Sequence, residues 1–211
     1  MYAVVSPEKI QLPPGTVMRL PGTWQDYQAI AQQRGDKSIP RVKYRNGEIL
    51  LMAPLPVHGR DAHILSQVVT VLLDHLEQDY EAFTPVTIEL PEEGGIEPDY
   101  CFYIDNWQAA AGKERINWQV DPPPDLVIEI DVTSFTAAED YAPYKIPEVW
   151  LWKKKTLKMY TLKADGSYGE CSDSRYFPGF DLPDLVSRCF QTAYHHSTST
   201  AIRELRQSLA Q

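Results

Sequence analysis

The feature that most constrains this chain is a strand that should not contain acids and does. Pro123-Pro124-Asp125-Leu126-Val127-Ile128-Glu129-Ile130-Asp131-Val132 is an apolar, β-branched run led by prolines, the pattern of a buried core strand. Side chains alternate between the faces of a strand, so Leu126, Ile128, Ile130 and Val132 share one face. Val127, Glu129 and Asp131 share the other. Carboxylates in the middle of such a run are costly unless they are paired or bind a metal.

A second run of the same kind lies upstream: Glu97-Pro98-Asp99-Tyr100-Cys101-Phe102-Tyr103-Ile104. It too carries a carboxylate at the head of an apolar strand. The two runs together point to a site where Asp99 and Glu129, with Asp131 as a third acid, converge on a divalent cation.

Composition narrows the class. At 211 residues the chain can bury one sizeable core. The net charge of −9 implies no broad basic face, so any nucleic-acid contact must be local or metal-mediated. Cys101, Cys171 and Cys189 are odd in number and widely spaced, which suggests neither a disulfide framework nor a zinc site. The N-terminal residues lack a basic segment followed by an apolar core, and no apolar run is long enough to span a bilayer. A cytoplasmic protein is the expectation.

Along the chain, residues 1–22 are proline-rich and read as an extended N-terminal arm ahead of a single domain over residues 23–211. Thr23 caps a predicted helix running to Arg34, with Gly35 ending it. Asn46-Gly47 between residues 41–45 and 48–52 predicts a β-hairpin. Pro54 and Pro56 break the chain before His58-Gly59. Residues 61–78 repeat apolar positions at helical spacing. A strand is expected over 83–90 and a turn at Glu92-Glu93-Gly94-Gly95. Residues 106–124 form a long loop with a short helix near Trp107. Weakly helical residues 135–144 lead to a strand over 148–152, a meander through 157–162 and 168–176, and helical spacing over 185–209. This order predicts one α/β or α+β domain.

The order and spacing of the motifs resemble the PD-(D/E)xK nuclease fold and, more closely, the Uma2 (DUF820) family of restriction-endonuclease-like proteins. The resemblance spans about Thr23 to Leu185. It is carried by Arg45-Asn46-Gly47-Glu48-Ile49-Leu50-Leu51-Met52-Ala53-Pro54, by His58-Gly59, by Glu97-Pro98-Asp99, by Pro124 to Glu129 followed by Thr133-Ser134, and by Val149-Trp150-Leu151. It implies a restriction-endonuclease-like mixed central β-sheet flanked by helices. The implied activity is a Mg²⁺-dependent endonuclease hydrolysing DNA phosphodiester bonds, with Mn²⁺ as a substitute cation. Asp99 and Glu129 would hold the metal through hard oxygen ligands, and Glu48 and His58 match further family site residues.

The family pattern completes the set with a lysine. Two residues after the glutamate this chain has Asp131, and four residues before Tyr144 it has Asp140. Lys145 is the candidate that remains. Each residue also has an ordinary role: Asp99 as a turn cap, Asp131 as a solvated strand end, Glu48 as a solvated hairpin residue, His58 as a helix cap, Lys145 as a surface lysine. Lys153-Lys154-Lys155 reads as a solvated hairpin tip. Trp150 and Trp152 read as core or as the interface of a homodimer, the assembly with which such enzymes cut both strands. Without the lysine the alternative is a catalytically degenerate relative acting as a nucleic-acid-binding or regulatory module. A glycosidase would also use two carboxylates, ~5 to 9 Å apart, but no sugar-stacking cleft is evident in the sequence.

Overall fold

The computed structural model describes residues 12–35, 39–84, 86–92, 94–131 and 136–210. In chain order these form β1 (Val17–Pro21), α1 (Trp24–Arg34), β2 (Arg41–Arg45), β3 (Glu48–Met52), α2 (Pro56–His75), β4 (Glu81–Phe83), β5 (Ile88–Leu90), β6 (Gly94–Ile96) and β7 (Tyr100–Tyr103). There follow α3 (Trp107–Ala110), β8 (Leu126–Asp131), a 3₁₀ helix (Ala138–Tyr144), β9 (Glu148–Lys153), β10 (Thr156–Leu162), β11 (Tyr168–Cys171), α4 (Leu182–His195) and α5 (Thr198–Leu209). No helix among the described residues is long and apolar enough to cross a membrane. The architecture is mixed α+β with two sheets, and the chain divides into two compact units.

The first unit comprises residues 1–59 and 87–97. Its sheet has the order β1-β3-β2-β6-β5 and is antiparallel throughout. Of the arm expected over residues 1–22, residues 1–11 lie outside the described set, and Val17–Pro21 pairs along β3 as an edge strand. Thr23 and Asp26 form a reciprocal capping box at the head of α1, and Gly35 closes its end at φ 58°. The Thr23 N–H and hydroxyl both donate to Asp26, and they hold its carboxyl below the usual range. Trp24, Tyr27, Val42, Tyr44, Ile49 and Leu51 form the core of this unit. Asn46 and Gly47 both take positive φ, 49° and 78°, in the two-residue turn that the hairpin requires.

Gly94 and Gly95, expected as a turn, belong instead to β6, between β2 and β5. Gly95 lies directly under Tyr27: a Cβ there would come within 2.2 Å of the tyrosine oxygen. The strand expected over 83–90 is also corrected, because it is two strands in two sheets, β4 and β5. Between them Pro85, outside the described residues, has no N–H to give to a ladder.

The second unit comprises residues 60–86 and 98–211, and takes all of α2 from Arg60 onward. The helix begins at Pro56, five residues ahead of the predicted start at Asp61, because proline is tolerated in a first helical turn, where its missing N–H has no intrahelical acceptor. The sheet order is β11-β10-β9-β8-β7-β4. Every pair is antiparallel except β8 with β9, which run parallel. Leu126, Ile128, Ile130, Trp150 and Trp152 face a core shared with α2, α4 and α5. Val132 lies outside the described residues, as do Thr133 and Ser134.

The helical segment expected over 135–144 is a 3₁₀ helix containing Pro143, and the last predicted helix is broken in two by Ser197, which caps α5. The dimer interface expected at Trp150 is not available on that strand. β9 is flanked by β8 and β10, and Trp150 is fully buried within its own unit. At the foot of β9, Glu148 is buried and accepts from the Trp150 indole N–H (2.6 Å) and the Arg175 N–H (3.2 Å). Burial outweighs these bonds and raises its carboxyl above the usual range.

Candidate active site

The acid-bearing face of the second sheet is built by register. β7 and β8 pair Cys101 with Val127 and Tyr100 with Ile128. One step further the Asp99 N–H donates to the Ile128 carbonyl (3.1 Å), and Asp99 Oδ2 accepts from the Ile130 N–H (2.7 Å). Asp99 thus braces the β8 backbone on both sides of Glu129. Both side chains are buried, at 1% and 3% exposure, in a position where a solvated role is excluded. The Thr84 hydroxyl donates to the Asp99 carbonyl (2.6 Å) and fixes the strand entry.

Glu129 accepts a short hydrogen bond from the hydroxyl of Tyr141 in the 3₁₀ helix. Tyr141 is fully buried. Burial first, then the charge of Glu129 and the hydrogen bond to it, then Asp99, push its hydroxyl well above the ordinary tyrosine range. It therefore remains a proton donor at neutral pH.

Asp131 stands one step further along the same face, and its partner in the parallel register is Lys153. The Lys153 Nζ lies 2.8 Å from Asp131 Oδ2; the two side chains are 26% and 1% exposed. A lysine thus reaches the position two residues after the glutamate from the neighbouring strand. Lys153 is the residue that sequence reasoning passed over as part of a hairpin tip. The available signal was that Glu129-Ile130-Asp131 and Leu151-Trp152-Lys153 end two apolar strands in the same way. Tyr141 carries no sequence signal of its own, because the family spacing points to Tyr144.

The other predicted residues are placed as follows. Lys145 ends the 3₁₀ helix in the left-handed region, its N–H bonded to the Ala142 carbonyl and its side chain exposed. Asp140 Oδ2 accepts from the Ala137 N–H at 3.2 Å. Glu48 and His58 belong to the first unit: Glu48 is exposed at the hairpin opposite Arg45, and His58 is buried in the first turn of α2. Glu97, beside Asp99 in sequence, also belongs to that unit. Its carboxylate takes Arg34 (2.5 Å), Thr87 (2.9 Å) and the Val42 N–H (3.3 Å), a structural clasp. Asp125 is likewise structural, accepting the Ile104 and Asn106 N–H groups at the turn after β7.

The donor set suits Mg²⁺, which takes hard oxygens, commonly one or two carboxylates with waters and phosphate completing the shell. Asp99 and Glu129 supply two. Among the described residues no group of three or more His, Cys, Asp or Glu side chains is arranged to hold a metal ion, and Asp131 is held in an ion pair.

Residues 24–190 match the Uma2 family, whose description is "Putative restriction endonuclease". No curated protein matches the sequence. Among solved structures, a chain from Anabaena variabilis ATCC 29413, titled a "putative nuclease belonging to DUF820", is similar at 16% identity, over 90% of this chain and 99% of that one, with a TM-score of 0.48.

Proposed function

Because this chain belongs to the Uma2 family, of restriction-endonuclease-like description, we propose that it is a Mg²⁺-dependent endonuclease that hydrolyses DNA phosphodiester bonds. Asp99 and Glu129 hold the cation, and Lys153 serves in place of the lysine absent from β8. The observation that supports this reading is that two buried carboxylates, Asp99 and Glu129, stand on neighbouring strands, with Glu129 accepting from Tyr141 and Asp131 paired with Lys153. When bound, the cation supplies Lewis-acid polarisation of the phosphate and a more acidic attacking water.

The chain's own residues do the rest. Tyr141 fixes Glu129 by donating to it, and Asp99 is fixed by the Ile130 N–H, so both oxygens are oriented before a substrate arrives. Lys153 balances the third acid, and on this reading its ammonium meets the charge that develops on the phosphate. The degenerate reading draws on Asp131 standing where the family motif has lysine; the Lys153 ammonium at that carboxylate supports the active reading.

The test is nicking of supercoiled plasmid and cleavage of single-stranded DNA with Mg²⁺ or Mn²⁺, comparing wild type with Asp99→Asn and Glu129→Gln. Loss of metal-dependent cutting in both variants supports the reading, with Tyr141→Phe lowering the rate by about tenfold. A folded wild type that neither cuts nor binds Mn²⁺ in calorimetry overturns it in favour of a binding module.

A further inference from the structure

β9 ends by serving two faces. Lys153 turns to the acids, and Trp152, one residue before it, turns to the opposite face. There the Trp152 ring stacks on Phe190 of α4, with centroids 3.9 Å apart and planes at 15°. Tyr194, one helical turn on, continues the stack at 6.4 Å and 26°. These three rings, with Lys155 and His195, line a cavity of about 380 Å³.

Trp152 and Phe190 belong to the core, at 6% and 3% exposure, and Tyr194 carries the stack out to the surface. Tyr194 is 43% exposed. The Arg60 guanidinium lies 4.0 Å from its ring centroid, and the Lys155 Nζ lies 6.0 Å from the same point. The nearby carboxylate, Asp61, is engaged: it accepts from the Tyr194 hydroxyl at 2.8 and 3.0 Å and lies 3.7 Å from Arg60 Nε. Aromatic faces flanked by Arg and Lys are the chemistry that holds an unpaired base and its phosphate.

A second observation points the same way. The turn that presents Lys155 joins β9 to β10 through Lys154 and Lys155 alone, at φ 50° and 62°. Both lysines sit in the left-handed region, where Asn and Gly are favoured and a long side chain is strained. The two-residue turn imposes this backbone on whichever residues fill it, and here it is filled by lysines.

We propose that this cavity takes an unpaired nucleotide of the nucleic-acid strand on which the chain acts, its base against Tyr194 at the exposed end of the stack and its phosphate on Lys155 and Arg60. A strand crossing the ends of β8 and β9 offers a phosphodiester to Asp99 and Glu129 on one face and a neighbouring base to the cavity on the other. The proposal rests on the nucleic-acid reading above and adds where the strand is gripped.

The test is fluorescence anisotropy of the full chain with a fluorescein-labelled oligothymidylate in EDTA, so that binding is read without turnover, alongside the plasmid assay in Mg²⁺. Lys155→Gln, at an exposed position, and Tyr194→Leu should each weaken binding about tenfold. Tyr194→Phe, which keeps the ring, should bind as wild type does, and Glu129→Gln should still bind. If wild type fails to cut plasmid yet Lys155→Gln and Tyr194→Leu lose binding, the cavity stands and the nuclease reading falls. If wild type cuts and both variants bind unchanged, the cavity proposal falls alone. It falls as well if wild type does not bind the oligonucleotide, or if thymidine monophosphate competes as strongly as the unlabelled oligonucleotide.

Discussion

Two hairpins in this molecule share a backbone and differ in everything else. Each is closed by two residues in the left-handed region: Asn46 and Gly47 in the first unit, Lys154 and Lys155 in the second. The first turn uses the residues its geometry favours. The second pays a conformational penalty twice over to place lysines there. Their shoulders differ as well. Arg45, before the first turn, is exposed, whereas Lys153, before the second, reaches a carboxylate that is 1% exposed. The first turn is filled by the residues its backbone favours, and the second follows a lysine paired with a buried carboxylate.

The largest break in this comparison should come at the shoulders. Lys153→Met leaves Asp131 buried without its cation and should cost roughly 2 to 3 kcal/mol, with the partial exposure of the lysine keeping it below a fully buried pair. Arg45→Met should stay within about 0.5 kcal/mol. Urea unfolding of the two variants measures the difference, and equal losses would erase the distinction. Next come the turns. Replacing Asn46 and Gly47 together by lysine should lower stability by about 2 kcal/mol, because the first hairpin then carries the strain of the second. The reverse exchange, Lys154→Asn with Lys155→Gly, should raise stability by about 1 kcal/mol in the same assay while weakening oligonucleotide binding.

The smallest effect is in pH. Asp26, ahead of the first hairpin, is stabilised as the carboxylate by Thr23, whereas Glu148, at the foot of the second, is raised by burial. Asp26 therefore contributes stability above its unfolded value of 3.8 that is lost as pH falls through its lower folded value. The penalty on ionised Glu148 is full above its raised folded value and disappears as pH falls below its unfolded 4.5. A ¹³C carboxyl titration should put the two midpoints on opposite sides of their ordinary values.

The sequence exposed what is local. Thr23, Asp26 and Gly35 mark α1, Asn46-Gly47 marks the first hairpin, and the alternation around Glu129 separates the two faces of β8. What it hid depends on pairing at a distance. Residues 83–90 look like one strand because nothing in their alternation records that β4 and β5 join different sheets. Gly94-Gly95 looks like a turn until Tyr27 is seen lying where a Cβ would be. Lys153 looks solvated because its partner is set by the parallel register of β8 and β9, a relation with no short-range signature. Asp99 and Glu129 were readable because buried acids in apolar runs stand out by composition alone; the residues that hold them, Tyr141 and the Ile130 N–H, were not.

The parallel pairing of β8 with β9 also sets an order of events at birth. Synthesis delivers Asp131 before Lys153, and a parallel pair needs a crossover closed between them before the two can meet. Until then the Asp131 carboxylate lacks the Lys153 ammonium. The Asp131–Lys153 pair can therefore close only after the crossover between β8 and β9.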